Sequence, residues 1–373
     1  VSKSHNPVLY AWCSTNCLSM SEDKLGFDAA TVFAQLCELL LSPASTTIIA
    51  YGFLVPDPSL TDVAPFDLSS DGLLGLNFGI VPSLYKYALS CFYALPERDT
   101  PITVASRQAS ATSPSNDPMA VTSILLLINA TNYTAWNRRR RVLRQRGYIA
   151  QDLLAERVFV DLVLTKHLKK AEIWLYRKWL FDLLRDRVDI SLSTLLDHEL
   201  AVCSQTSTEY LRNYYSWSHR ISLVPLFDNH RLQNELTWSL KFSRSHLADR
   251  CCLHYREQLW LAATLLSARS DPSSARIDAD ERTLTSLGDR LQRGQLFDLR
   301  CSPALSESLF EAFEQTTQLC ELYAGHEGLW YHRRFLLALL CSVALSGSSG
   351  DGKHSSAGAT PSSSLTPAAL LAE

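Results

Sequence analysis

The sequence contains no Cys-x-x-Cys pair, although it has ten cysteines, and it lacks the cysteine spacing typical of secreted disulfide frameworks. It also lacks a secretory signal and any apolar stretch of the roughly 18 residues that a membrane span requires. No Cys-based prenylation box ends the chain. The chain begins at Val1 without Met. These absences favour reduced thiols, a cytoplasmic location and no membrane span.

An excess of charge of either sign is missing as well. The chain has 35 Lys and Arg residues against 38 Asp and Glu residues, which gives a net charge of −3. This balance offers no global electrostatic attraction to nucleic acid or to an anionic membrane. We therefore expect no nucleic-acid partner on the grounds of composition.

Motifs of self-contained catalysis are also missing. There is no nucleophile elbow, no Gly-rich phosphate loop and no paired-His motif. His219 and His332 have no acidic or cysteine residue at metal-ligand spacing. We therefore predict no metal site and no active site of the chain's own, and we expect both histidines to make hydrogen bonds between repeats.

A recurring motif is the main feature that the sequence does contain. Residues 132–139 read Asn-Tyr-Thr-Ala-Trp-Asn-Arg-Arg, and residues 213–220 read Asn-Tyr-Tyr-Ser-Trp-Ser-His-Arg. Shorter copies occupy residues 174–177, 253–256 and 330–333, with Leu253 in the Trp position. The common pattern is Trp, any residue, usually His or Tyr, and then Arg. Successive copies lie 38, 43, 36 and 77 residues apart, and a period near 40 is typical of helical repeat proteins.

Apolar periodicity places these copies in pairs of helices. The predicted pairs are 119–128 with a helix from 133, 153–166 with 172–184, 193–212 with a helix from 213, 230–244 with 250–266, and 306–323 with 327–345. Four segments follow from this pattern. They are a divergent N-terminal region with a few helices (1–95), a Pro/Ser-rich loop (96–118), the repeats (119–345, with an insertion at 267–303) and a disordered Ser/Gly/Ala-rich tail (346–373).

The chemistry of the motif suits helix packing. Residues three apart share a helix face, so the Trp fills the gap between helix pairs while the Arg donates to the carbonyls left open at an adjacent helix end. Asn132 and Asn213 stand four residues before Trp, at a natural N-cap position. We therefore predict structural roles for the residues of the repeat motif, which are Trp136, Arg139, Trp174, Arg177, Trp217, Arg220, Arg256, Trp330 and Arg333.

A basic run follows the first copy of the motif. It comprises residues 138–141 together with Arg144 and Arg146. Such a run can bind RNA or act as a nuclear signal. Because the same helix carries Trp136 and the apolar Val142 and Leu143, we favour a solvated or partner-facing helix surface over an RNA-binding one.

The signature Asn-Tyr-x-x-Trp-x-x-Arg resembles the repeat of the protein prenyltransferase α subunit family. The stretches NATNYTAWNRRRRVL, RNYYSWSHR, LTKHLKKAEIWLYRKWL and GHEGLWYHRRF carry this resemblance, which covers residues 119–345. The resemblance implies an all-α fold, an α/α superhelix (solenoid) of helix pairs that wraps around a β subunit. In this family the β subunit holds the catalytic zinc and the isoprenoid pocket.

The resemblance also implies a function. The chain is similar to a divergent branch of the family, which implies the non-catalytic α subunit of a protein geranylgeranyltransferase with a Rab geranylgeranyltransferase β-type partner. Zinc and geranylgeranyl diphosphate are then expected in the β subunit, with no cofactor bound by this chain alone. The implied substrate is a prenyl-acceptor protein such as a farnesylated SNARE. An adaptor that binds a SNARE or Rab-like protein without supporting transfer is the alternative.

Site residues are implied at the turns in front of the motif helices. The family's diphosphate-side lysine stands five residues before the second Trp, which is Lys169 here, and the adjacent Lys170 blurs the register. A solvated turn lysine is the alternative for Lys169. The family's Tyr three residues before that Trp is replaced by Ala171. In the third repeat Asn213, Tyr214 and Tyr215 occupy the turn expected to face a partner.

Overall fold

The helical pattern of the sequence is borne out by a computed structural model, which describes residues 27–41, 48–55, 64–96, 113–268, 280–297, 299 and 301–348. Within these ranges the chain forms thirteen α-helices. None of the helices described there combines the length and the apolarity needed to cross a membrane. The chain divides into two compact units between Asp189 and Ile190.

Unit 1 begins with a small α/β portion. Its elements are α1 (Ala29–Leu41), β1 (Ala50–Leu54), β2 (Phe66–Leu68), β3 (Leu73–Asn77) and α2 (Val81–Ala94). The central strand β3 pairs in parallel with β1 and antiparallel with β2. Helices α1 and α2 pack against each other, and their apolar faces bury Phe33, Leu36 and Leu84.

The rest of unit 1 consists of two helix pairs. They are α3 (Pro118–Ile128) with α4 (Tyr133–Gln145), and α5 (Ala150–Lys166) with α6 (Ala171–Arg185). Asp117 begins α3 because its carboxylate accepts the backbone N–H of Met119 at 2.9 Å. Gly147 ends α4 in the left-handed region, with φ of +77°, and the next N–H, that of Tyr148, bonds to the Leu143 carbonyl as in a Schellman cap.

Unit 2 contains three further helix pairs and one additional helix. The pairs are α7 (Leu192–Glu209) with α8 (Tyr214–Leu223), α9 (Asn229–Ser245) with α10 (Arg250–Ala268), and α12 (Pro303–Leu322) with α13 (Glu327–Ser348). The additional helix, α11 (Glu281–Gln292), lies in the insertion and packs on α10 and α13. Leu284, Leu287 and Leu291 form its buried face.

The helices that carry the motif pack on one another within each unit. In unit 1, α4 contacts α6, and in unit 2, α8 contacts α10, which contacts α13. We call these five helices, α4, α6, α8, α10 and α13, the motif helices. The helix that precedes each of them, α3, α5, α7, α9 or α12, is called the first helix of its pair. This stacking explains why the Trp position recurs, because each motif helix presents one large apolar side chain to a neighbour.

The fold class and the helix pairs agree with the sequence predictions. The all-α class is confirmed, and each predicted pair corresponds to an observed one within a few residues at each end. Residues 46–55 are β-branched and apolar and are followed by Pro56, which favours an extended segment, and they contain β1. The strands β2 and β3 had no counterpart in the sequence interpretation. Most of the predicted loop at 96–118 and the tail beyond Ser348 lie outside the described residues.

Candidate functional site

Three of the four tryptophans of the motif bind the turn in front of their own helix. Trp136, Trp174 and Trp330 each donate the indole N–H to the backbone carbonyl six residues earlier, at 2.8–2.9 Å. Trp217 instead donates to the carboxylate of Asp249 at 3.1 Å. Three of these rings are buried, but Trp330 is 45% exposed. The packing role predicted for all four therefore holds for three of them, and Trp330 is an exception.

The arginines of the motif each bind a side chain 16 or 17 residues earlier, on the first helix of the pair. Arg139 reaches Ser123, and the other four pairs are Arg177 with Asp161, Arg220 with Ser204, Arg256 with Ser239, and Arg333 with Thr317. Arg139, Arg220 and Arg256 also donate to the carbonyls of Met119, Leu200 and Leu236.

These carbonyls correct one sequence prediction. Arginine was expected to bind carbonyls left open at a helix end, but Leu200 and Leu236 lie inside α7 and α9. A carbonyl oxygen has two lone pairs, and the helical N–H uses only one of them. The second lone pair is therefore available to a buried guanidinium in mid-helix.

Buried glutamates connect successive helix pairs. In unit 1 the carboxylate of Glu156 on α5 receives two hydrogen bonds of 2.7 Å from Arg139 and a third, also 2.7 Å, from the Tyr176 hydroxyl. In unit 2, Glu235 on α9 binds Arg220 at 2.6 Å and the Tyr255 hydroxyl at 2.6 Å. Each glutamate thus joins the Arg of one motif helix to the Tyr of the next.

The charge states in this network follow from burial and pairing. Burial alone would lower the pKa of Arg139, but the Glu156 carboxylate raises it above its ordinary value. Burial raises the pKa of Tyr176 and of Tyr255 well above 10. The two phenols therefore keep their protons and act as donors to the carboxylates.

Histidine replaces tyrosine in two copies of the motif, and both histidines bind carboxylates. His219 lies 2.7 Å from Glu199 on α7. His332 lies 3.4 Å from Glu257 on α10. The first helix of its own pair, α12, offers no glutamate, because Ala312 occupies the position 20 residues before His332. His332 therefore makes the expected hydrogen bond between repeats, whereas the hydrogen bond of His219 to Glu199 lies within its own helix pair. The sequence interpretation identified neither glutamate.

Glu257 also binds a second histidine. His254 lies 3.2 Å from the other carboxylate oxygen of Glu257. This hydrogen bond raises the pKa of His254, whereas burial lowers the pKa of His332. The pKa of Glu257 is lowered, since the hydrogen bonds from the two histidines outweigh its burial. Gln292 of α11 donates to the same carboxylate at 3.0 Å, which ties the insertion helix to the network.

The N-cap prediction for the two asparagines is confirmed. Asn132 accepts the N–H of Ala135 at 3.1 Å, and Asn213 accepts the N–H of Ser216 at 3.5 Å. Asn213 is fully buried, so it has no surface of its own with which to face a partner, unlike Tyr214, which is 67% exposed. Tyr215 is half-buried and packs edge-on against Tyr214.

The turn between α5 and α6 carries two exposed lysines. Lys169 and Lys170 are both exposed in it, and Lys166 ends the preceding helix with its ammonium 5.4 Å from the Phe53 ring centre. His167 lies between them and donates to the Leu127 carbonyl at 3.0 Å. Burial, together with Lys170 and Lys166, lowers the pKa of His167. The histidine is therefore neutral near pH 7 and the charge of the turn comes from the lysines.

Half of the basic run on α4 is engaged within the chain. Arg138 donates to the Pro96 carbonyl, Arg139 is buried in its ion pair, and Arg140 lies 5.2 Å from the Tyr176 and Trp179 ring centres. This corrects the interpretation of the run as a solvated or partner-facing surface for these three arginines only, because Arg141 and Arg144 are exposed.

Several thiols of the described residues are made less reactive by burial, and these residues contain no group of metal ligands. Burial raises the pKa of Cys252 to about 12 and also raises that of Cys251, Cys301 and Cys341. A raised pKa makes the nucleophilic thiolate scarce at neutral pH. Within the same ranges, no three His, Cys, Asp or Glu side chains are grouped so that they could hold a metal ion.

The last helix pair matches a known family. Residues 309–340, which cover most of α12 and α13, match the family model described as Protein prenyltransferase alpha subunit repeat. The match includes Trp330 and Arg333 of the motif. It confirms the resemblance that the sequence motif predicted.

Curated relatives extend this similarity along the chain. Protein prenyltransferase alpha subunit repeat-containing protein 1 of Danio rerio is 30% identical over 59% of this chain and 54% of the relative. The Homo sapiens protein of the same name is 27% identical over 59% of this chain and 58% of its own length. The 1-A protein of Xenopus laevis is 29% identical over 65% of this chain and 60% of the relative. The chain therefore spans little more than half the length of these relatives.

Proposed function

Because the chain carries the protein prenyltransferase α subunit repeat, we propose that it is the non-catalytic α subunit of a heterodimeric protein prenyltransferase. The observation that carries this proposal is the repeat itself, which matches at residues 309–340 and recurs as buried Trp and Arg positions in both units. The Arg–Glu–Tyr connections support a rigid scaffold. Such a scaffold suits a subunit that holds recognition turns in fixed positions against another chain.

The proposal extends to a partner and a substrate class. We place this chain beside a β subunit of the Rab geranylgeranyltransferase type, which would hold zinc and geranylgeranyl diphosphate. The accepting protein is a prenyl acceptor with a C-terminal cysteine, such as a farnesylated SNARE. A cytoplasmic location is part of the same proposal. The resemblance of the motif supports each of these points.

Two turns give this chain its proposed share in the reaction. Lys169 and Lys170 concentrate positive charge directly before α6, where backbone N–H groups at a helix start also favour an anion. A lysine there would stabilise the negative charge that builds up on a leaving diphosphate. Tyr214, which is two-thirds exposed, and its neighbour Tyr215 would contact the partner or the acceptor protein.

Co-expression with a β subunit tests the proposal. We expect a stable heterodimer that transfers labelled geranylgeranyl to an acceptor protein, while this chain alone transfers none. Failure to co-purify with any prenyltransferase β subunit would refute the enzymatic assignment. A heterodimer without transfer would favour the adaptor function, and nucleic acid that stays bound during heparin chromatography would favour RNA binding.

A further inference from the structure

The last motif helix, α13, presents a face that its counterparts bury. Trp330 is 45% exposed, whereas Trp136 and Trp217 are each 1% exposed. The same difference extends along the helix. Leu337, seven residues after Trp330, is half-buried, while the equivalent Leu143 is fully buried. We call the surface formed by Trp330, Arg333 and Leu337 the terminal face.

In unit 1 the equivalent surface of α4 is covered by the first helix of the following pair. That helix, α5, places Glu156 on Arg139, at 2.7 Å, and Phe159 over both motif residues. The Phe159 ring centre lies 6.3 Å from the Trp136 ring and 4.1 Å from the Arg139 guanidinium. Glu and Phe are three residues apart and therefore share one helix face.

In unit 2 the first helix of the next pair covers α8 with the same two side-chain types. Glu235 on α9 binds Arg220 at 2.6 Å. Trp238, three residues later, lies 6.1 Å from the Trp217 ring centre and 3.7 Å from the Arg220 guanidinium. The Trp and Arg of a motif helix are thus covered twice by a helix that reads Glu-x-x-aromatic.

The terminal face has no such cover from the described part of this chain. Arg333 donates to Thr317 at 2.9 Å and contacts the Phe313 ring, and no carboxylate of the described residues pairs with it. The covering glutamates, Glu156 and Glu235, lie 17 residues after Arg139 and 15 residues after Arg220. The residues 15 to 17 positions after Arg333 are Ser348, Ser349 and Gly350, none of which is acidic. Residues 349–373 contain no Phe, Trp or Tyr, so this stretch offers no aromatic cover.

We propose that the terminal face binds an amphipathic helix of a partner protein that carries a glutamate three residues before an aromatic side chain. The glutamate would pair with Arg333 and the aromatic ring would cover Trp330. Arg334, exposed beside them on α13, adds positive charge and favours an acidic helix. This interaction stands independently of the proposed transferase role.

The chain itself supplies a matched probe for the experiment. A labelled, helix-stapled peptide of residues 229–245 carries Glu235 and Trp238 in the required spacing. We expect it to bind the full chain in fluorescence anisotropy. Glu235→Gln in the peptide or Arg333→Gln in the protein should each weaken binding about tenfold, since a charge-assisted hydrogen bond is lost. Arg282→Gln, at an exposed arginine of α11 that has no role in the proposal, is the control and should change binding less than about twofold.

A charge exchange makes the test independent of folding defects. Arg333→Glu should abolish binding of the natural peptide, and a peptide with Glu235→Arg should restore it. Equal affinity of the natural and Glu235→Gln peptides for the wild-type chain would overturn the proposal. So would self-association of the chain that Arg333→Glu removes, since a second copy would then occupy the face.

Hydrogen exchange locates the bound peptide. Protection is expected in α13, around residues 327–340. Protection confined to α8 would show that the peptide replaces the chain's own α9 on Trp217, and this outcome would also overturn the proposal.

Discussion

Tyr255 donates its phenolic hydrogen to Glu235 across 2.6 Å, and the same carboxylate oxygen accepts two hydrogen bonds from Arg220. Tyr255 belongs to one motif helix and Arg220 to the previous one. A single carboxylate oxygen therefore couples two repeats, and its charge is satisfied only when both repeats are in place. Because a buried ion without its partner is costly, this connection makes the stacking of repeats specific.

Loss of one arginine from this connection should destabilise the fold strongly. Arg220→Met leaves the buried Glu235 without its counter-charge, and we expect a loss of about 3–5 kcal/mol in the free energy of unfolding. Chemical denaturation followed by circular dichroism measures it.

Arg256 provides the matched control for that substitution. Burial lowers its pKa to about 10, and no carboxylate of the described residues pairs with it. Arg256→Met therefore leaves no buried charge behind, and the expected loss is about 1 kcal/mol from hydrogen bonds. Equal losses for the two variants would contradict the coupling role of Glu235.

The tyrosine hydroxyls should have a smaller, measurable effect. Tyr255→Phe keeps the ring and removes only the donor to Glu235, so we expect a loss of about 1–3 kcal/mol. Tyr331 is 45% exposed, and Tyr331→Phe should change stability by less than about 0.5 kcal/mol. Thermal and urea unfolding of both variants compare the two sites, and a neutral Tyr255→Phe would argue against a role for the hydroxyl.

His332 and His254 should change the acid stability in opposite directions. The pKa of His332 is lowered from 6.5 by burial, so the unfolded chain takes up its proton first and stability falls as pH drops below 6.5. The pKa of His254 is raised by Glu257, so His254 adds stability below 6.5 that is lost as pH rises through its folded pKa.

Two substitutions separate these contributions. His332→Gln should flatten the loss of stability between neutral pH and about pH 5.5, whereas His254→Gln should steepen it. Unfolding curves at several pH values give the slopes. Parallel slopes for both variants and the wild type would show that neither histidine is linked to folding.

Lys169 tests the proposed contribution to transfer. In a heterodimer with a β subunit, Lys169→Ala should lower the turnover number about tenfold, since one charge facing the diphosphate is lost, and leave β-subunit affinity unchanged. Lys178, on α6 of the same helix pair, offers a control lysine whose replacement by Ala should leave turnover unchanged. Unchanged turnover of Lys169→Ala would remove it from the site.

The sequence predicted those parts of the fold that depend on short-range patterns. Helix boundaries, the Asn caps and the Trp and Arg positions all follow from residues within one helix turn of each other. The sheet was missed except for β1, because β2 has only three residues and β3 pairs in parallel with β1, which lies 23 residues earlier in the chain (Ala50 opposite Leu73).

The glutamates were missed for a different reason. A lone Glu on a helix usually faces solvent, yet Glu156, Glu199 and Glu235 are buried. They stand 20 residues before Tyr176, His219 and Tyr255, which are the His or Tyr of the motif in the same helix pair. This spacing was present in the sequence, but it relates residues on two different helices and cannot be interpreted until the pairing of those helices is known.

The motif gave no indication that Trp330 is exposed, since its exposure depends on whether another helix packs on α13.

Ala312 breaks the series of glutamates in the last helix pair, where it occupies the position 20 residues before His332. In a repeat array, global stability is the sum of the stability of each repeat and the coupling between neighbours. The last pair is tied to the preceding one by the 3.4 Å contact of His332 with Glu257 instead of by an Arg–Glu–Tyr connection. We therefore expect this pair to open at lower free energy than the pairs joined by Glu156 and Glu235. A helix bound there would raise the stability of the folded chain by mass action, so the partner would also control how long the protein survives.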